Sequence, residues 1–222
     1  MAELAGRDKI EADFARKLSY VQAKHRHELD ELMGSPPDIS KVPELFWEKV
    51  QKETEEQILA ILLLIFLGSY VQHSGEESAD SRFLAVAFAG NRAATVAKEY
   101  TVNSVQWLVG ENQRWQTEFQ KTGERPNVAE RLLQIFGPNR AQRIAVTETT
   151  AAATAGGEAA VSQGPGLSLD DLWITERDEH VCPICKPLDR QPRSVWALKF
   201  PLGSPAHPVC RCYIQYAHEV GA

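Results

Sequence analysis

Four cysteines and one histidine close to the C-terminus are the residues of this chain best suited to chemistry. Cys182 and Cys185 form a C-x-x-C pair, and His207, Cys210 and Cys212 follow about twenty residues later. The first 181 residues contain no cysteine. The cysteines therefore form a local cluster and do not build a disulfide framework for the whole chain.

The spacing of these five residues predicts a metal site. A C-x-x-C turn directs two thiolates to one point, while backbone N–H groups of the turn support the sulfurs. On a strand, Cys210 and Cys212 would share one face. Five donors thus compete for four tetrahedral positions, and the pattern leaves open which two of His207, Cys210 and Cys212 join Cys182 and Cys185. Sulfur and nitrogen donors favour zinc, and four protein ligands favour a structural role, because a catalytic zinc keeps one position open for water.

Two interpretations without a metal compete with this one. A disulfide between the two groups of cysteines would need an oxidising compartment, and the sequence gives no sign of one. Reduced cysteines can also pack as small apolar side chains. A redox-active C-x-x-C is disfavoured, because no βαβ pattern surrounds it.

The residues before the cluster carry helical periodicity. Apolar residues recur at helical spacing over residues 1–33, and Gly34-Ser35-Pro36-Pro37 ends this helix. Further helices are predicted at 45–71, 78–100, 102–120, 127–136 and 140–154. Gly156-Gly157 should weaken the last of these helices, and Gly164-Pro165-Gly166 should end it.

Beyond Gly166 the helical periodicity gives way to Pro, Trp, Cys and short β-type runs. Residues 172–175 and 210–214 predict strands. The predicted fold is therefore α+β, with a mainly helical N-terminal body and a small β-rich Cys/His module at the C-terminus. We divide the chain into three consecutive segments: the helical body (1–139), a helix with a Gly-rich linker (140–166) and the module (167–222).

Charge and hydropathy limit the partners. The net charge of −6 disfavours a dedicated nucleic-acid-binding protein, because duplex binding rests on a basic face. The N-terminus lacks the apolar segment of a secretory signal. The most apolar run, Ile58–Leu67, has ten residues, whereas a membrane-spanning helix takes about 20. We therefore expect no membrane partner, and we predict that this helix is buried on all sides or lies at an oligomer interface.

The histidines outside the cluster carry less signal. His25 and His27 are two residues apart on a predicted helix, so they point in different directions and cannot share a metal. We predict that both face solvent.

Several motifs in a fixed order resemble one known family. They are Arg143-Ile144-Ala145-Val146-Thr147-Glu148-Thr149, Trp173-Ile174-Thr175, Asp178, Cys182-Pro183-Ile184-Cys185, Leu188-Asp189 and Pro205-Ala206-His207-Pro208-Val209-Cys210-Arg211-Cys212. In this order and spacing, residues 140–212 resemble the C-terminal domain of the phage head morphogenesis family, typified by protein F of phage Mu and its minor-capsid relatives. The family usually has Leu-Asp-Gly after the C-x-x-C, and here Arg190 stands where the glycine would form a tight turn.

This resemblance implies a minor head protein of a tailed phage or prophage, located in the virion and assembled in the host cytoplasm. Such proteins associate with the portal or the major capsid protein of the procapsid, and some affect genome packaging or ejection. Contact with the phage genome would be weak, and neither a small-molecule substrate nor an enzymatic activity is implied. The family's suspected metal ligands correspond to Cys182, Cys185, His207, Cys210 and Cys212.

Two alternative functions also start from the Cys/His cluster. A metal-dependent nuclease of the His-Cys type would need a general base beside a hydrated metal, and its only candidate parts are Asp178, His180 and His207. A DNA-binding zinc module would use the basic residues near the cysteines, which are balanced by acidic ones. The basic residues are Arg177, Lys186, Arg190, Arg193, Lys199 and Arg211, and the acidic ones are Asp170, Asp171, Glu176, Asp178, Glu179 and Asp189.

Overall fold

The structure is a computed structural model, and it describes residues 4–176 and 181–219. Six α-helices lie in this part of the chain: α1 (Arg7–Met33), α2 (Glu44–Ser74), α3 (Ala79–Thr122), α4 (Val128–Leu132), α5 (Pro138–Gln163) and α6 (Arg193–Trp196). Two short strands, β1 (Leu172–Ile174) and β2 (Tyr213–Gln215), form a small sheet near the C-terminus. The predicted α+β class, mainly helical with a small sheet and a Cys/His cluster, is confirmed.

Glycines end the first two helices where the sequence predicts breaks. Gly34 follows α1 with a φ of 72°, and Gly75 follows α2 with a φ of 86°. Only glycine adopts this left-handed conformation without steric cost, so both positions suit the residue that closes a helix.

Residues 79 to 122 form one helix, so the predicted division near residue 101 is wrong. Helix α3 runs without interruption for 44 residues. Thr101 and Ser104 lower helix propensity by only a fraction of a kcal/mol each. Their hydroxyls donate to the carbonyls of Ala97 and Tyr100, one turn earlier. These side chains are therefore satisfied inside the helix, and nothing in the local chemistry stops it.

Helix α5 passes through Gly156-Gly157 instead of weakening there. Both glycines lie where another part of the fold approaches the helix backbone. A Cβ on Gly156 would lie 2.3 Å from the carbonyl oxygen of Phe66 in α2, and one on Gly157 would lie 2.9 Å from the Tyr216 hydroxyl. Tertiary packing therefore offsets the low helix propensity of glycine at these positions.

The apolar run within α2 is not buried on all sides, contrary to one of the two predictions made for it. Leu64 is 70% exposed, whereas Leu62 and Phe66 are buried. The helix contains an 18-residue window with a mean hydropathy of 1.5, of which 39% is buried within the fold. By length and composition it meets the minimum for a membrane span, but core helices of soluble proteins meet the same test. The expected absence of a membrane partner remains a prediction.

The C-terminal strands pair antiparallel, with Trp173 opposite Ile214. Trp173 and Trp196 are fully buried in an apolar cluster that also contains three of the cysteines. The second strand begins at Tyr213, so the prediction of a strand from residue 210 is wrong at its start. Cys210 and Cys212 lie in the loop that leads into β2 and do not sit on one face of a strand.

The described chain forms two compact units. The first contains Met1–Ala12, Ala60–Gly90 and Arg143–Ala222, and the second contains Asp13–Leu59 and Asn91–Gln142. Each unit combines segments that are distant in sequence. The Cys/His region therefore belongs to one unit with the start of α1, the end of α2, the start of α3 and most of α5.

His25, in the second unit, is fully buried, so the prediction that it faces solvent is wrong. Its Nε2 lies 3.0 Å from a carboxylate oxygen of Glu53, and its ring packs edge-on against Phe46. The neighbouring His27 is exposed, as predicted. A single polar residue on the inner face of an amphipathic helix is not distinguished by periodicity alone, which explains the error.

Burial of His25 predicts a loss of stability in mild acid. Burial lowers the pKa of His25 below 6.5, although Glu53 raises it; Lys24 and Lys49 also lie nearby and lower it. The unfolded chain therefore takes up a proton that the folded chain excludes, and this stability is lost as the pH falls below 6.5. From this residue we expect the free energy of unfolding to fall by up to about 1.4 kcal/mol per pH unit towards pH ~5. Urea unfolding at several pH values measures the slope.

The variant His25→Gln should lose this slope, whereas His27→Gln should retain it, because His27 is exposed in the folded state. An identical pH dependence in the wild type and in His25→Gln would contradict the assignment. The pH range in which this stability is lost lies above pH 4.5, the ordinary pKa of Glu53. The pKa of Glu53 is itself lowered in the fold.

Candidate metal centre

The structure brings all five predicted donors together in the first unit. Their ligand atoms form two overlapping triads: Cys182, Cys185 and His207, and Cys185, Cys210 and Cys212. Within each triad all ligand atoms lie within 4.8 Å of one another. Cys185 is common to both, so the two groups of residues that are distant in sequence meet at its sulfur.

The C-x-x-C segment folds as the compact turn that its spacing predicts. The N–H of Cys185 donates to the Cys182 carbonyl at 3.1 Å, and the N–H of Lys186 donates to the same carbonyl at 3.0 Å. The N–H of Cys185 also lies 3.4 Å from the sulfur of Cys182. Backbone N–H groups directed at sulfur stabilise the thiolate form that a metal binds.

A second turn, from His207 to Cys210, has the same hydrogen bond. The N–H of Cys210 donates to the His207 carbonyl at 3.2 Å. Val209, inside this turn, has a φ of 65°, which is unfavourable for a β-branched residue. Its N–H donates to the Thr147 hydroxyl at 2.8 Å, and this bond from α5 helps to hold the strained turn in place.

The His207 ring is oriented as a metal-binding imidazole would be. Its Nδ1 lies 2.8 Å from the Pro208 carbonyl, to which it can donate as Nδ1–H. Its Nε2 lies 2.8 Å from the Cys182 sulfur and 3.1 Å from the Cys185 sulfur. In metal sites, a hydrogen bond at the ring nitrogen that does not bind the metal fixes the tautomer. It also directs the free lone pair of the other nitrogen at the metal.

The pKa values of the buried thiols are shifted in opposite directions by the hydrogen bonds between them. Hydrogen bonds from the Cys185 and Cys212 thiols lower the pKa of Cys210 to about 2, and the hydrogen bond to Cys210 raises the pKa of Cys185 far above its usual range. All three cysteines are buried, and holding all of them as thiolates would require compensating positive charge. A divalent cation supplies that charge, so this donor set fits a metal.

Helices α1 and α5 support the loop that carries His207, Cys210 and Cys212. On α5, the Thr150 hydroxyl bonds the carbonyl of Cys210. On α1, the buried side chain of Arg7 donates to Thr150 and, at 2.8 Å, to the carbonyl of Arg211. This support was not predicted from the sequence. Its signal was present in the threonine-rich run at 147–154, but the partner backbone is about sixty residues away.

Arg190, which stands where the family that the motifs resemble has glycine, forms a tight turn. It has a left-handed φ of 59°. Its N–H donates to the Trp173 carbonyl at 2.6 Å, and the N–H of Gln191 donates to Leu188. The turn therefore persists with a residue that pays a steric cost in this conformation, about 1–2 kcal/mol for an L-amino acid.

Replacing Arg190 with glycine should therefore stabilise the chain. We expect Arg190→Gly to raise the free energy of unfolding by about 0.5–1 kcal/mol, since the relief of strain exceeds the added flexibility of glycine in the unfolded chain. Urea unfolding followed by tryptophan fluorescence measures the change. Arg190→Ala is the control, because it removes the side chain but keeps the strained backbone. An equal gain in both variants would contradict the backbone explanation.

The structure also bears on the alternatives. All four cysteines are free thiols, and the sulfurs of Cys185 and Cys210 are 3.7 Å apart, far longer than a disulfide bond. Among the residues of the nuclease hypothesis, His207 faces sulfur, while Asp178 and His180 lie outside the described residues, as do Arg177 and Glu179.

Two of the basic residues of the DNA-binding hypothesis are engaged in internal ion pairs. Arg193 pairs with Asp171 and Glu158, and Arg211 pairs with Asp8 and Glu11. These pairings reduce the positive charge available for phosphate.

Comparisons of the chain with models of protein families, with curated proteins and with solved structures gave no match. The family resemblance therefore rests on the motifs alone.

Proposed function

We propose that the Cys/His cluster is a structural zinc centre. The donor set consists of thiolate sulfur and imidazole nitrogen, which suits zinc among the common divalent ions. Zinc–sulfur bonds of about 2.3 Å at the tetrahedral angle place two sulfurs about 3.8 Å apart. The 3.7 Å separation of the Cys185 and Cys210 sulfurs agrees with this spacing. Enough protein donors are present to fill four positions, which leaves no position for a catalytic water.

On this basis we propose that the chain is a minor head protein of a tailed phage or prophage that binds the portal or the major capsid protein. The support is the convergence of the resembling motifs around one centre. Thr147 of the helix motif bonds the N–H of Val209 in the second Cys/His segment. Thr175 of the Trp-Ile-Thr motif donates its N–H and its hydroxyl to Asp189 of the Leu-Asp motif, both at 3.0 Å. Residues that contact one another in this way have a structural reason to occur together.

The proposed role is structural and not enzymatic. A metal-bound module needs little apolar core of its own, and here it is joined to long helices that can present it to a larger assembly. Under this proposal the protein is a low-copy component of the phage head, assembled in the host cytoplasm. It would act in head assembly, with an effect on genome packaging or ejection.

Mass spectrometry of particles tests the assembly role. After phage induction in cells that carry the gene, procapsids and mature heads are separated on a density gradient. The proposal predicts the chain in both particle fractions, at a small fraction of the copy number of the major capsid protein. A chain found only at the top of the gradient, while the portal protein sediments with the particles, would contradict it. A metal-dependent nuclease activity lost in His207→Ala would favour the nuclease instead.

A further inference from the structure

The Cys/His cluster offers five donors to a centre that takes four, and the structure distinguishes among them. Resting on the zinc centre proposed above, we infer that Cys182, Cys185, His207 and Cys210 are the ligands, and that Cys212 is a reserve thiol. In this role Cys212 donates a hydrogen bond to the neighbouring Cys210 sulfur and replaces Cys210 as a ligand when Cys210 is lost.

The first argument is the repetition of one turn. Cys182 and Cys185 are three residues apart, as are His207 and Cys210, and in each pair the later N–H donates to the earlier carbonyl, at 3.1 and 3.2 Å. The four residues at the ends of these two turns supply four donors, the number that a tetrahedral zinc site takes. Cys212 lies outside both turns.

The second argument is distance. The Cys210 sulfur lies 3.7 Å from the Cys185 sulfur, the separation expected of two sulfurs on one zinc ion. The His207 Nε2 contacts both sulfurs of the first turn. These contacts link all four proposed ligands through Cys185. The sulfur of Cys212 also lies within 4.8 Å of the sulfurs of Cys185 and Cys210, close enough to take the place of Cys210.

The third argument is what holds Cys212. It directly precedes Tyr213, the first residue of β2, which pairs with Ile174 of β1. Its side chain is buried in the apolar cluster beside Trp173 and Ile214. The backbone of Cys212 is thus fixed by the sheet, with its thiol hydrogen-bonded to Cys185 and Cys210. Loss of the Cys210 sulfur would leave the Cys212 sulfur as the nearest thiol able to complete the set.

Three variants of the full chain test this assignment: Cys212→Ser, Cys210→Ser and the double variant. Zinc content is measured by elemental analysis, affinity by competition with a chelator, and the number of bound thiolates by the charge-transfer absorption of the cobalt(II)-substituted protein. We expect Cys212→Ser to keep one zinc per chain and three thiolates. Its affinity should fall about tenfold or less, since serine retains a hydrogen-bond donor.

Cys210→Ser should also keep one zinc and three thiolates, with a larger loss of affinity, because Cys212 takes the vacant position. The double variant should lose stoichiometric zinc. The inference is overturned if the metal in Cys212→Ser is bound by only two thiolates. It is also overturned if the metal in Cys210→Ser is bound by only two thiolates, because Cys212 has then not replaced Cys210. Near-ultraviolet circular dichroism of the buried tryptophans verifies that each variant is folded, and Cys212→Ala replaces Cys212→Ser if the hydroxyl is not tolerated in the core. Absence of zinc from the wild type would instead refute the zinc centre itself.

Discussion

Replacement of Cys185 with serine is expected to abolish zinc binding and to unfold the C-terminal region. Cys185 belongs to both triads of donors and is almost completely buried, so its loss leaves no sulfur shared by the two triads. A metal present at about 1,000 times its dissociation constant stabilises the folded state by about 4 kcal/mol. We expect at least this loss in the free energy of unfolding. Elemental analysis and the near-ultraviolet circular dichroism of Trp173 and Trp196 measure the two effects.

Ile184→Ser is the matched control for this variant. Ile184 lies in the same turn, but its side chain is half exposed and carries no ligand atom. The Ile184→Ser variant should retain one zinc, and its free energy of unfolding should change by no more than about 0.5 kcal/mol. If Cys185→Ser kept its zinc and its tryptophan signal, the shared position of Cys185 would be wrong.

Gly156→Ala should be strongly destabilising, although alanine is the better helix former. In an open helix this change stabilises by up to about 1 kcal/mol. At Gly156 the new Cβ would lie 2.3 Å from a backbone oxygen of α2 and 3.0 Å from the carbonyl carbon of the same residue, Phe66. Backbone atoms cannot turn aside as a flexible side chain does, so the two helices must separate. We expect a loss of about 3 kcal/mol in the free energy of unfolding.

Gly68→Ala provides the matched control. Gly68 is also in the first unit and inside a long helix, but a Cβ there meets nothing within 4 Å. This variant should be neutral or stabilising in the same urea titration. A similar effect of both substitutions, in either direction, would show that the close approach of α2 and α5 at Gly156 does not govern stability.

The features that the sequence predicts well depend on residues close together in the chain. The C-x-x-C turn is one such feature, since two cysteines at this spacing need only one turn to bring their sulfurs together. The ends of α1 and α2 are others, because Gly34 and Gly75 mark them directly. The sequence also predicted the second Cys/His group as part of the site, because a C-x-x-C followed about twenty residues later by further Cys and His is typical of zinc sites.

The features that were missed depend on residues far apart in sequence. His25 is buried by α2, and Gly156 is tolerated in α5 because Phe66 lies against it. The support of the loop that carries His207, Cys210 and Cys212 by Arg7 and Thr150 joins three segments separated by more than fifty residues. Neither propensity nor periodicity carries such information, because both describe only a residue's local neighbours. A buried arginine in the first helical turn gives no local sign of its partners.

Metal analysis combined with thiol titration on the purified wild-type chain tests the central claim most directly. Zinc is quantified by elemental analysis, and thiols are titrated before and after treatment with a chelator. The proposed zinc centre predicts about one zinc per chain, with cysteines that become reactive only after the chelator removes the metal. A chain without metal, in which all four cysteines react at once and the buried tryptophans keep their native signal, would contradict the zinc centre.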